Sequence, residues 1–374
     1  MQAIRNTRSD PDPNKSCCDG AWTRSPRTKL PAKSGGGNVI PPGSPEELQF
    51  LGVVGIYREA AKILAGWRRL FVKIAGALVL PLSILFFAHI AISHRLFSTI
   101  DSDETALDDA APGSTSESSA LQRLVSDWSA FLLFKGFYLV ALLVLALLST
   151  AAVVYSVASI YTARGDIAFR KVLTVVPRVW RRLMVTFLWA FLILLALNSA
   201  TIALLVFILL MGGNSSAGPV LAILVVFPLY LVALVYVSVV WHLASVVSVL
   251  EDARGLEAMR RSRRLIQGKL LTASVIFVML NICFGLVEFA FRWLLVRGSG
   301  GGPGPSLGLG LLLLLLLCLV ILFALAVQTV VYFVCKSYHH ESIDKSNLAD
   351  HLEAYLGEYV PLKSQDVQME QLDV

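Results

Sequence analysis

Six long apolar runs dominate this chain, at about residues 74–93, 136–161, 184–211, 219–250, 270–295 and 309–335. A helix needs about 20 apolar residues to cross the hydrocarbon of a bilayer, and backbone polar groups inside lipid are satisfied only within helices or closed barrels. The runs therefore predict an all-α fold: a polytopic helical membrane protein with six transmembrane helices. Composition agrees, with a mean hydropathy of +0.69 and 16% charged residues among 374, against roughly a quarter charged in soluble domains. Outside the runs no polar stretch exceeds about 45 residues, close to the smallest size that folds unaided. That excludes a sizeable soluble catalytic domain.

Charge then orients the spans. Residues 46–73 carry Arg58, Lys62, Arg68, Arg69 and Lys73; 162–183 holds six basic residues against Asp166, and 251–269 holds six against Glu251, Asp252 and Glu257. Segment 95–127 has seven acidic residues against Arg95 and Arg123, and 212–218 has no charge. By the positive-inside rule, the first three segments and both termini are cytosolic, and 95–127 is an outer loop. The acidic, Ser-rich stretch 101–120 is expected to be flexible, because it lacks the apolar surface to offset chain entropy. An integral membrane location in the endomembrane system (endoplasmic reticulum) or the plasma membrane is expected. The sequon Asn214-Ser215-Ser216 falls in the shortest outer turn, too close to the bilayer to be read as a glycosylation site.

The domain layout follows. Residues 1–43 read as a disordered cytosolic tail without a signal-peptide core, so the first span is expected to direct insertion. Residues 44–69 read as an amphipathic interfacial helix, opened by the capping box Ser44-Pro45-Glu46-Glu47 and striped with Phe50, Val53, Val54, Tyr57, Ala61 and Leu64. The transmembrane domain spans 70–335. A cytosolic acidic tail, 336–374, carries eight acidic residues against Lys336, Lys345 and Lys363. In it Leu348, Leu352, Tyr355, Leu356 and Tyr359 recur at helical spacing, a short amphipathic helix suited to docking a cytosolic protein partner. The five cysteines show no disulfide or metal spacing.

Ala163-Arg164-Gly165 recurs ninety positions later as Ala253-Arg254-Gly255. Beyond each copy, Ala168, Phe169, Val172, Val175 and Val176 share one helical face, as do Ala258, Met259, Ser262, Leu265 and Ile266. The opposite faces carry Arg170, Lys171 and Arg178, and Arg260, Arg261 and Arg264. We read a tandem parallel repeat, about 136–211 and 226–295. Each unit is a descending helix, an amphipathic cytosolic elbow helix and an ascending helix. The elbow arginines are candidate contacts to lipid headgroups of an anionic cytosolic leaflet.

Several stretches carry a family resemblance. Ser44 to Gly52, Ile56-Tyr57-Arg58-Glu59-Ala60, Leu80-Pro81-Leu82-Ser83, Ala88-His89-Ile90 and Tyr338-His339-His340-Glu341-Ser342 together resemble a plant family of uncharacterised multi-pass membrane proteins, over residues 44–362. That family implies no established activity. More distantly, Leu250-Glu251 with Gly255, Ala258, Arg261-Ser262, Leu265 and Gly268-Lys269 is similar to the elbow of a bacterial membrane domain attached to some glycerophosphodiester phosphodiesterases. This chain has no room for the hydrolase part.

Ionisable and polar residues within spans are functional candidates by default. Glu288 and Arg292 lie one turn apart and read as a self-neutralised pair at the outer rim rather than a proton relay. Asn198, Asn281 and Gln328 read as interhelical hydrogen-bonding groups. His242 beside Trp241 reads as a packing histidine, and neither His89 with His94 nor His339-His340-Glu341 has metal-site spacing. No Gly-rich phosphate loop, nucleophile elbow or zinc-helix motif occurs, so no cofactor is expected. The net charge of +6 belongs to the elbows and implies a membrane surface rather than nucleic acid. The chain is expected to be non-enzymatic, interacting with lipids and partner proteins through its elbows and tails. The competing expectation is a small-solute or lipid transporter, with a site between the two repeats near the midplane.

Overall fold

The computed structural model describes residues 50–108, 115–161, 169–211, 217–298 and 303–339, and for some residues inside these helices the backbone alone. In chain order the described helices are α1 (Val53–Gly66), α2 (Arg68–Ile74), a π-helical turn (Ala75–Val79), α3 (Leu80–Asp108), α4 (Thr115–Tyr161), α5 (Phe169–Met211), α6 (Ala217–Leu250), α7 (Leu256–Ile266), α8 (Leu270–Gly298) and α9 (Pro303–Tyr338). Among the described residues there is no strand. Six segments are long and apolar enough to cross a membrane: Arg68–Ser102, Leu121–Tyr161, Val179–Leu210, Ile223–Leu250, Leu270–Leu294 and Gly308–Tyr338. They coincide with the six runs, and the protein is an integral membrane protein. We call the side holding α7 the elbow side and the opposite one the far side.

The first span is broken by chemistry local to Pro81. Proline has no N–H and its ring crowds the carbonyl four residues back. The turn ahead of it, Ala75–Val79, widens to π-helix, which makes room for the ring without ending the span. Ser83 Oγ donates to Val79 O at 2.8 Å inside the packed core. Pro177 and Pro228 sit inside α5 and α6 with no change of helix type.

Helix α1 differs from the expectation over 44–69. It starts at Val53 behind Gly52, with no side-chain cap, and Phe50–Gly52 are not helical; the proposed capping box lies outside the described residues. Its buried residues are Ile56, Glu59, Ala60 and Ile63, whereas Phe50 and Val54 are exposed. Of the apolar stripe read from the sequence, Val53, Tyr57 and Leu64 pack against the core and Phe50, Val54 and Ala61 are exposed, so the packed face is turned toward Ile56 and Ile63. Apolarity cannot separate a face that meets lipid from one that meets protein, since both are apolar solvents. Tyr57 locks the helix down by donating to the Ile276 carbonyl (2.9 Å) and stacking on Phe323 at 5.8 Å. Burial, with a smaller contribution from Cys283, holds its phenol above the ordinary 10.0.

The acidic stretch 101–120 also departs from expectation. Helix α3 continues through Asp108 and α4 begins at Thr115, so both helices run past the bilayer on the far side. Ile100 is buried there, and the hydroxyls of Thr99, Ser102 and Thr105 donate to carbonyls one turn back.

The two predicted elbows take different forms. The second is a separate helix, α7, whose buried residues are the five expected: Ala258, Met259, Ser262, Leu265 and Ile266. That face packs into the bundle and not onto headgroups, and Ser262 Oγ donates to Val240 O at 2.8 Å. In the first unit Phe169 opens a helix that continues unbroken into the span as α5, and residues 162–168 lie outside the described residues. The main core gathers on the elbow side, joining α1, α2, the near halves of α4, α5, α6, α8 and α9, and α7. A smaller far-side cluster holds Phe87, Ile90, Val287, Leu313 and Leu317, with Phe87 stacked on Phe291 at 3.8 Å.

Candidate functional site

A cavity of about 480 Å³ opens inside the bundle, bounded by α4 and α5 on one side, α6 and α8 on the other, and α9. Both predicted repeat units therefore contribute walls. Its polar lining comes from Thr150, Ser238, His242, Ser245, Asn281 and Gln328. Counted from the span ends Tyr161, Leu250, Leu270 and Tyr338, Thr150, His242, Asn281 and Gln328 lie about 12–16 Å deep at 1.5 Å per residue. Half of a hydrocarbon core is about 15 Å, so these groups sit near the midplane.

Most of these polar groups are tied to their own helices. Thr150 Oγ1 donates to Ala146 O (2.9 Å), Ser245 Oγ to His242 O (2.6 Å) and Asn281 Nδ2 to Phe277 O (2.8 Å). This back-bonding uses the hydroxyl hydrogens of Thr150 and Ser245 and one of the two Asn281 N–H groups, and leaves oxygen lone pairs. The cross-helix contact is different: His242 Nδ1 lies 3.3 Å from Gln328 Oε1. The imidazole is stacked on Phe277 (4.9 Å, 6°) and beside Trp241, whose ring meets Phe187 edge-on at 5.6 Å. Gln328 is 3% exposed, and its Nε2 is buried with no hydrogen-bond partner.

Of the residues singled out from the sequence, Asn281 and Gln328 line this cavity, and Asn198 and Glu288 do not. Asn198 accepts from Tyr230 OH at 2.9 Å beside a smaller cavity of about 230 Å³ between α5 and α6. Glu288 and Arg292 form the expected pair, with Arg292 Nε and Nη2 on Glu288 Oε1 at 2.9 and 2.7 Å. They lie at about 27–33 Å from Leu270 at 1.5 Å per residue, at the far interface. Near the same level, Lys135 Nζ meets His89 Nε2 at 2.8 Å, and Tyr138 stacks on that imidazole. The sequence analysis missed the pairing of His242 with Gln328. The available signal was their similar depth from two ends on the same side.

A second polar assembly fastens the elbow. Glu251 follows α6, and its carboxylate accepts from Tyr332 OH (2.7 Å), Arg261 Nε (3.2 Å) and Lys336 Nζ (3.5 Å). Arg182 meets Asp252 at 2.6 Å. Thr186 Oγ1 shares a 2.7 Å contact with Ser248 Oγ and accepts the Gly255 N–H at 2.8 Å. His339 Nε2 reaches Leu265 O at 3.1 Å. Arg261 is thus turned toward Glu251, whereas Arg260, Arg263 and Arg264 are exposed. The side chains of Arg170, Lys171 and Arg178 lie outside the described residues, as do Asn214 and the acidic tail beyond His339.

Gly255 and Gly268 close α7 at either end with positive φ, 59° and 90°. A Cβ on Gly268 would stand 2.5 Å from the Tyr338 ring, so the elbow's end and the end of α9 meet at a place with room for glycine alone. Among the described residues no group of three or more His, Cys, Asp or Glu is arranged to hold a metal ion.

No curated protein and no solved structure matches this chain. One family matches residues 43–372, from before α1 to the end of the acidic tail, and so covers the six spans, the elbow and the cavity. The chain belongs to that family, described as Domain of unknown function (DUF8558).

Proposed function

We propose that this membrane protein is non-enzymatic and binds a small amphipathic molecule of the lipid class within the bundle, as the binding step of a transporter. The observation that carries this reading is the cavity of about 480 Å³ at mid-depth between the two helix units. Its size falls in the range of small-molecule sites, roughly 300–1,000 Å³, and it combines apolar walls with a few polar groups as such sites do. A position between units near the midplane is also where transporters built from repeats place their substrates. The test uses full-length protein that keeps Trp241, which lines the cavity, as its single tryptophan. A brominated long-chain alcohol in mixed micelles should quench Trp241 saturably, and Ala324→Phe, which fills the cavity, should abolish saturation. Linear quenching that is identical in both proteins would sink the reading.

A second reading rests on α7, whose Arg260, Arg263 and Arg264 are exposed. With the elbow side cytosolic, these arginines face the headgroups of an anionic leaflet, each contributing about 1 kcal/mol. Full-length protein should then melt higher in anionic than in neutral vesicles, and salt or Arg260→Gln with Arg264→Gln should remove the gain. An equal gain in the double variant would refute the contact.

A further inference from the structure

Two properties of the cavity bear on what it takes. Among the described residues, no Asp, Glu, Lys or Arg lines it. A charged headgroup brought to the midplane would lose its hydration and meet no counter-charge, a heavy penalty at this depth. A pure hydrocarbon would fill the space but leave the buried Gln328 Nε2 unpaired, and a buried unpaired donor is costly. The occupant that relieves both problems is neutral and carries one small polar group.

The identity of that group follows from the amide itself. Side-chain N and O of Gln occupy nearly the same volume, and either can face His242 if the imidazole takes the matching tautomer. In one arrangement Gln328 offers the ligand a donor, in the other an acceptor. A ketone or ether oxygen satisfies the first only. A hydroxyl, which donates and accepts, satisfies both. Thr150 on α4 and Ser245 on α6 add acceptor lone pairs from two other helices of the lining, since each has already given its own hydrogen to a carbonyl of its helix. The broad terminal torsion of Gln lets the amide swing toward the cavity without leaving its rotamer well.

We infer that the cavity takes a neutral amphiphile whose polar end is a hydroxyl group, recognised by Gln328 with His242 behind it. This rests on the reading of the cavity as a ligand site, and the experiment separates the two. Three brominated probes of equal chain length, an alcohol, a carboxylic acid and a hydrocarbon, are titrated at equal mole fraction in mixed micelles against the single-Trp241 protein. The alcohol should bind about tenfold tighter than the hydrocarbon, the scale of one well-placed hydrogen bond. The ionised acid should bind weakest. Gln328→Met, which conserves volume, should leave hydrocarbon binding saturable and erase the alcohol's advantage. Saturable binding without preference, or a preference for the acid, would overturn the hydroxyl assignment while leaving the ligand site intact. No saturable quenching by any probe would overturn both. An alcohol preference that survives in Gln328→Met would overturn the role of Gln328. Should that variant fail to fold, the ranking of the three probes on the native side chain decides the assignment alone.

Discussion

Glu251→Ala is expected to lower the free energy of unfolding by about 2–4 kcal/mol, measured by denaturant titration of the full-length protein in micelles. One carboxylate at the end of α6 holds the elbow through Arg261 and the last span through Tyr332 and Lys336. Its side chain is 20% exposed, Lys336 also 20% and Arg261 28%, so water reaches these groups only partly. Removing the carboxylate leaves two cations and a phenol crowded together without their common acceptor. A fully buried pair broken in this way costs about 3–5 kcal/mol, and partial solvation discounts that figure. Glu251→Gln keeps an acceptor oxygen of the same reach and should lose less. If the Ala variant lost under about 0.5 kcal/mol, the carboxylate would be an ordinary surface ion-pair partner and the elbow would be held by packing alone.

Gly255→Ala should be comparably severe, at about 3 kcal/mol, for a backbone reason. The residue sits at φ 59° and ψ −128°, a combination that L side chains avoid at about 1–3 kcal/mol. The added Cβ would also stand 2.9 Å from Trp189 Cδ1 and 3.2 Å from Val185 Cγ1, which adds an overpacking cost of about 1–3 kcal/mol. The helix cannot retreat easily, because the Gly255 N–H is itself bonded to Thr186, one turn from Trp189 on α5. Gly285→Ala in α8 is the control, since a Cβ there meets nothing within 4 Å. It should be neutral or gain roughly 0.5–1 kcal/mol from helix propensity. Equal melting of the two variants would show that Gly255 is not under backbone constraint.

What the sequence disclosed was whatever depends on contrast with water. The six spans are legible because long apolar runs have one stable home, and the buried face of α7 is legible because its other face carries arginines. Within lipid that contrast vanishes. Phe50 and Val54 look as core-like as Ile56 and Ile63, yet only the latter pack. Contacts between distant segments were illegible for a different reason. His242 and Gln328 are 86 positions apart, as Glu251 and Lys336 are 85, and no local pattern announces such a meeting. The helical continuation into 101–108 was not legible because a stretch mostly of Asp, Glu, Ser and Thr presents no apolar stripe. The motif Ala253-Arg254-Gly255 did point to its physical cause: the glycine is where the chain takes a conformation closed to other residues.

The hairpin of α5 and α6 is fastened at one end only. Buried residues of α5 stop at Ala190, and along the far half of α6 up to Ser238 Val226 is the sole buried one among those described. Thr186–Ser248 ties the two helices to each other, and Arg182–Asp252 and Thr186–Gly255 tie α5 to the segment after α6, all toward the elbow end. Beyond them, few described side chains of either helix are buried in the protein. The hairpin thus joins a sparsely buried far part to a near part that, through Leu183, Phe187, Trp241 and His242, forms a wall of the cavity. Its sparsely buried far part and its cavity-lining near part belong to the same two unbroken helices, α5 and α6.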